Sequence, residues 1–301
     1  MPLETARAHP VTALAASPSA PLVAVAGHDR IYLYDVDQRA SAGQLAFPEG
    51  IPYALRFSRD GATLLAAGGR GVQSGEAVLF DVRSGQRVAT LGHETDVVLA
   101  ADISADGKFV ALGGPGKVVK VFSAADGRLL YQLTKHSDWI TAIEFSPDGA
   151  RLATADRSGG IRLWEAATGG MAGELAEHKD SVTSVSWRGA ALASASEDGR
   201  IIVWNTTDGF PAATVNKAHG GKGVLGVQFT PDGRLASVGR DSTIRMWSED
   251  GKPVGASVAS DSLLTKVTGC YGGKIVVAGD YEGRILLWDT RQPRFALATR
   301  P

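Results

Sequence analysis

One cysteine, Cys270, stands in the 301 residues. No disulfide can form within the chain, and no cysteine pair exists for a zinc site or for covalent haem attachment. Its plainest role is that of a small residue in a turn. No apolar run approaches the roughly 18 residues of a membrane-crossing helix. The first residues, Met1-Pro2-Leu3-Glu4-Thr5-Ala6-Arg7, lack the apolar core of a signal peptide. Neither sign of charge prevails, with 31 basic and 32 acidic residues and a formal net charge of −1. That balance argues against a nucleic-acid surface as the main purpose. These absences predict a cytoplasmic protein that inserts in no membrane. A periplasmic location is expected only if the chain is a domain excised from a secreted protein. Helix-length apolar stripes are also scarce. Thirty-seven glycines and thirteen prolines point instead to an all-β chain with many tight turns.

What the chain does have is a repeat. A β-branched or apolar strand ending in an aromatic recurs: IYLYD at Ile31–Asp35, AVLFD at Ala77–Asp81, VKVFS at Val119–Ser123, IRLWE at Ile161–Glu165, IIVWN at Ile201–Asn205, IRMWS at Ile244–Ser248 and ILLWD at Ile285–Asp289. The aromatics Tyr34, Phe80, Phe122, Trp164, Trp204, Trp247 and Trp288 are spaced 40 to 46 residues apart. In the stretch Leu192–Asn205 a small apolar strand, an Asp-Gly turn and the aromatic strand form a hairpin, because Asp-Gly supplies the φ > 0 positions such a turn needs. Turns of the type Ser146-Pro147-Asp148-Gly149 precede each hairpin, and a more polar strand follows it. Each unit therefore reads as four antiparallel strands. One such sheet cannot bury both faces, but seven packed radially can, and the ring protects the sheet edges.

Histidine supplies a second period. His9, His93, His136, His178 and His219 each fall just before a new first strand. His178, Ser194, Asp198 and Trp204 could join in one buried hydrogen-bonded chain, and His219, Ser237, Asp241 and Trp247 repeat the pattern.

The histidine near the start, the WD-like end of the third strand and the SPDG or TPDG turns resemble the WD-repeat β-propellers over about residues 7–299. The resemblance implies one seven-bladed domain, residues 1–301, with four-stranded blades. It implies that the Asp-His-Ser/Thr-Trp sets are structural tetrads, complete in the blades of Trp204 and Trp247. In the Trp164 blade, His136 and Thr154 are present and Ser158 takes the place of Asp. In the last blade Glu282 and Trp288 are present, but Ala278 replaces the hydroxyl. The family commonly completes its last blade with an N-terminal strand, here Leu3–His9. The segment Arg294–Thr299 competes for the slot, and the N-terminal strand is the expected occupant. Ala111–Tyr131 and Leu192–Trp204 also resemble bacterial propellers fused to c-type cytochrome domains.

The chemistry expected is slight. A catalytic triad needs an exposed, activated serine beside an oxyanion hole, whereas this network recurs and is sealed by indoles. Histidines placed one per blade are too far apart to share a metal. Gly68–Gly71 and Gly113–Lys117 are turns, not a phosphate loop. The inner strands offer Ala13, Ala15, Ala54 and Ala142, which are bland. No enzyme, cofactor or metal is expected, but a monomeric scaffold for a protein or peptide. The alternatives are an accessory or sensor domain of a larger bacterial cytochrome-linked protein, or an enzyme with its site at the channel mouth, which acidic or histidine side chains converging there would mark. The residues expected to meet that partner surround the top of the ring: Asp138, Trp139, Arg157, Glu197, Lys222, Arg240 and Tyr281. Arg157, Arg240 and Tyr281 resemble the family's partner-contact positions.

Overall fold

A computed structural model describes residues 9–270, 272–292, 295 and 297–299, the last three by backbone only. Among these residues there are 28 strands and no helix. The strands form seven four-stranded antiparallel sheets, each cut from one continuous stretch of chain. Blades 1 to 7 span residues 14–46, 51–94, 100–133, 140–175, 182–215, 224–259 and 264–299. The first strand of each blade lies innermost, and the others follow outward in chain order.

Local chemistry places the turns. Between the first two strands of blades 2, 3, 4 and 6, a hydroxyl bonds the aspartate two residues on: Ser58–Asp60 at 2.6 Å, Ser104–Asp106 at 2.7 Å, Ser146–Asp148 at 2.5 Å and Thr230–Asp232 at 2.6 Å. The glycine that follows has positive φ, for example +72° at Gly149, which a Cβ would oppose.

The buried apolar residues fall into seven clusters, one per junction between neighbouring blades. Between blades 4 and 5, Ala153, Ile161 and Leu163 meet Val185, Leu192, Ile202 and Trp204. Each fully buried Leu or Ile contributes about 1.5–3 kcal/mol. No blade covers its own faces, so these junctions hold the ring.

Blade 7 corrects the expected closure. Its outer strand is Leu297–Thr299, which pairs with Ile285–Asp289 (Ile285↔Thr299, Leu287↔Leu297). The C-terminal segment thus occupies the slot expected for the N-terminal strand, whose residues 3–8 lie outside the described residues. Blade 7 closes on blade 1 by other means. The amide of Val11 donates to the Asp280 carbonyl at 3.0 Å, and the Thr265 hydroxyl donates to the Val11 carbonyl at 2.7 Å. Beneath them Val11, Leu14, Val23 and Val25 pack on Val277, Ile285 and Leu287.

Cys270 belongs to this seam. It sits in the turn after the inner strand of blade 7, buried, and burial together with the nearby Asp37 pushes its thiol up to about 12. Only the thiolate reacts with alkylating agents. Native protein is therefore expected to resist iodoacetamide at Cys270 and to react at the rate of local opening. Labelling followed by mass spectrometry checks this, and labelling as fast as a free thiol would contradict it.

Candidate functional site

Three blades carry a complete buried tetrad. In blade 5, His178 Nδ1 lies 2.9 Å from Asp198, His178 Nε2 lies 2.8 Å from Ser194 Oγ, and the Trp204 indole donates to that Oγ at 2.8 Å. In blade 6 the corresponding distances for His219, Asp241, Ser237 and Trp247 are 2.7, 2.8 and 2.8 Å. A carboxylate only accepts, so Nδ1 carries the proton; the neutral ring then accepts at Nε2 from the hydroxyl, which accepts from the indole. Burial alone would raise the Asp198 carboxyl. The bonds from His178, the Lys179 amide and Arg200 outweigh it and hold the group below the usual carboxylate range. For His219, burial prevails over Asp241 and lowers its pKa.

Blade 4 departs from the sequence reading. Its aspartate is Asp156, not the expected substitute Ser158. His136 lies 2.7 Å from Asp156 and 2.6 Å from Thr154, which accepts the Trp164 indole at 2.7 Å. Asp156 ends the second strand, two residues earlier than the turn position of Asp198. Ser158 caps its carboxylate at 2.6 Å. In blade 6 the strand-end position is Gly239, where an added Cβ would come within 2.4 Å of the His219 ring. Two routes thus reach the same imidazole. In blade 7 the Trp288 indole, facing Ala278, donates instead to the Gln292 carbonyl at 2.9 Å. His93 is exposed beside Glu76, and His9 stacks on His28 at 4.9 Å, so neither enters a tetrad. No serine of a complete tetrad is exposed.

The face carrying the hairpin turns between second and third strands is the top. Arg157, Glu197, Arg240 and Tyr281 occupy one equivalent position in blades 4 to 7. Each amide donates to the carbonyl just before its inner strand, Trp139, Ser181, Gly223 and Leu263, at 2.9 Å. Trp139 is 41% exposed, and the Arg157 guanidinium lies over its ring at 5.2 Å. The preceding Asp138 accepts the Trp139 amide at 2.8 Å and so fixes the loop. Arg240 grips Glu197 with two bonds, at 2.8 and 2.6 Å. Glu197 is thus already paired. Tyr281 is 58% exposed, and Lys222 is exposed on a tight turn after His219.

At the centre the inner strands leave an axial opening of about 380 Å³. Its rim is one residue per blade: Thr12, Tyr53, Leu99, Thr141, Thr183, Leu225 and Thr265. In blades 2 and 4 to 7 this residue is the extra one of a register shift, as between Ile140 and Ala142. Such bulges re-aim side chains, which here meet around the axis.

Below the rim the channel is not the bland surface that the alanines suggested. One layer holds Arg56, Asp102, Glu144, Ser186 and Gln228, from blades 2 to 6. Arg56 lies 3.6 Å from both Asp102 and Glu144. Each acceptor also takes an amide from the next blade: Phe145 to Asp102 at 2.7 Å, Trp187 to Glu144 at 2.9 Å and Phe229 to Ser186 at 3.0 Å. Burial pushes both carboxyls up, against the pull of Arg56. Acidic groups do converge in the channel, below the opening, but they act there as staples between blades.

A family model for the WD domain, G-beta repeat, matches residues 1–35, 85–123, 127–165, 170–205 and 211–248, more than half of the chain. The chain belongs to the WD-repeat family. This WD-repeat chain is 47% identical over 58 residues, 19% of its length, to the p21-activated protein kinase-interacting protein 1-like of Xenopus laevis. That match spans 15% of the Xenopus protein. Among solved structures, a chain from the Mitotic Checkpoint Complex superposes with a TM-score of 0.81 over 96% of this chain and 94% of its own, at 18% identity. The likeness is one of fold. Among the described residues of the propeller, no three His, Cys, Asp or Glu side chains group to hold a metal.

Proposed function

We propose that the protein is a non-catalytic scaffold that binds a protein or peptide across the top face, over the axial opening. The observation that carries this reading is the Trp139–Arg157 stack, a half-exposed aromatic held in place by a cation on the top face, two residues before the rim residue Thr141. Aromatics and arginines of this kind dominate interface energies. Arg240, Glu197, Tyr281 and Lys222 extend the surface around it. The rigid tetrads beneath fix the geometry, so binding needs little reorganisation. The Xenopus relative is by name a kinase-interacting protein, and the structural neighbour belongs to a checkpoint complex; both are set among protein partners. The balanced charge argues against a nucleic acid as the main partner.

The finer resemblance of Ala111–Tyr131 and Leu192–Trp204 to cytochrome-fused bacterial propellers suggests a second setting, as an accessory or sensor domain. A CxxCH segment encoded in the same gene would favour it. The test of the main reading is affinity capture with wild type and with a Trp139→Ala, Arg240→Ala double variant. A partner should be retained by the first and lost by about 30-fold or more with the second. Equal recovery of every partner by both would sink the top-face assignment.

A further inference from the structure

Lys266 stands out in the channel. It comes from the inner strand of blade 7, two residues above the staple layer. The equivalent residues of the other blades are Ala13, Ala54, Ala100, Ala142, Ser184 and Gly226. Six small residues leave the space on the axis to one lysine side chain. That side chain lines both the axial opening and the narrower channel below it. It makes no hydrogen bond and no ion pair among the described residues. Asp102 and Glu144 are taken up by Arg56 and by backbone amides. Burial lowers the pKa of the ammonium, and the charge that reaches it, Arg56, has the same sign. The side chain is therefore held in a half-closed space without an anion that would offset the desolvation of its charged form.

From this geometry we infer that Lys266 anchors an acidic side chain of the docked partner, inserted through the axial opening from the top face. The inference rests on the top-face reading and adds the chemistry of the partner. The opening is too small for a folded element and suits one or two side chains. Its wall mixes Tyr53, Leu99 and Leu225 with threonines. Thr12, Thr183 and Thr265 spend their protons on carbonyls of neighbouring blades, at 2.6, 2.6 and 2.7 Å. The segment that fits is an aspartate or glutamate flanked by apolar residues. Its carboxylate meets Lys266 and its neighbours meet the wall.

The experiment selects a phage-displayed library of random linear peptides on the intact protein. The winners are then measured on wild type, Lys266→Met, Lys266→Arg and the Trp139→Ala, Arg240→Ala variant. Methionine keeps the length and apolar stem of lysine, and thermal melts verify that each variant folds. Selected peptides should share an acidic residue within an apolar setting. Their affinity should fall about 30-fold or more in Lys266→Met and recover in part in Lys266→Arg. Replacing the peptide's acid by its amide should cost wild type as much and Lys266→Met little. Peptides without an acid, insensitive to Lys266→Met yet lost in the top-face variant, would overturn the inference and leave the scaffold reading standing. Peptides insensitive to both variants, or none selected, would overturn both. Glutarate and inorganic phosphate form the free-anion arm. Displacement by millimolar glutarate or phosphate of a peptide that needs no acid would assign Lys266 to a small anion, against the inference.

Discussion

Replacing Asp156 by alanine will destabilise the protein by about 3 kcal/mol, while Ser158→Ala will cost about 1 kcal/mol or less. The carboxylate of Asp156 is fully buried and accepts from His136, from the Ser158 and Gly160 amides and from the Ser158 hydroxyl. Arg162 reaches it as well, at 3.2 Å. Alanine leaves the imidazole proton and two turn amides unpaired in a buried site. Burial works against the ionised group, but these bonds prevail and hold Asp156 well below its ordinary range. A carboxyl with a lowered folded pKa stabilises the fold above its unfolded pKa and loses that contribution as pH falls toward the folded one. The gap between wild type and Asp156→Ala should therefore shrink in strong acid and hold constant above about pH 5. Urea unfolding at several pH values measures it. Equal effects of the two alanine variants would return the role to Ser158.

Arg56→Ala should cost about 2 kcal/mol at about pH 8 and clearly less at about pH 5, a figure discounted for the partial exposure of the guanidinium. Asp102 and Glu144 have carboxyls raised by burial, and Arg56 pulls them back most strongly, ahead of the backbone amides that bond them. The sign is opposite to that of the tetrads. A carboxyl whose folded pKa is raised binds its proton more tightly when folded. Its stabilising contribution is complete below the unfolded pKa and is lost as pH rises through the folded one. Without Arg56 both groups move further up, and ionised carboxylates stay buried without a cation. Adding Glu144→Gln removes one of these charges and keeps an acceptor for the Trp187 amide. The double variant should therefore recover part of the loss at about pH 8 and little at about pH 5. A penalty independent of pH would show that Arg56 contributes packing and no charge.

The ring was legible in the sequence because its information is local. Strand, Asp-Gly turn and aromatic recur within each unit, and turn chemistry does not depend on distant contacts. The tetrads of blades 5 and 6 were legible because Asp198 and Asp241 lie six residues before Trp204 and Trp247. In blade 4 the same count from Trp164 lands on Ser158, whereas counting 20 residues forward from His136, as from His178 to Asp198, lands on Asp156. The same count from His219 lands on Gly239 rather than Asp241, so neither origin serves all three blades. The channel charges were illegible for another reason. Arg56, Asp102, Glu144 and Lys266 sit one per blade and look like ordinary polar positions of inner strands. Only closing the ring brings them together. The outer strand of blade 7 could not be chosen from pattern, because two segments of similar composition competed for a pairing three residues long.

The seam between blades 7 and 1 also bears on how the molecule assembles. Every sheet draws its strands from one stretch of chain, so all blades can form from nearby residues. The bond from Thr265 to Val11 joins positions 254 residues apart. In a chain that packs its blades in order, that contact comes last. Until it forms, Leu14, Val23 and Val25 on one side and Val277, Ile285 and Leu287 on the other face water. An open ring is therefore a sticky species with two apolar ends, and chains caught in that state can join end to end. A single seam, with no strand exchanged across it among the described residues, separates a closed ring from a growing polymer.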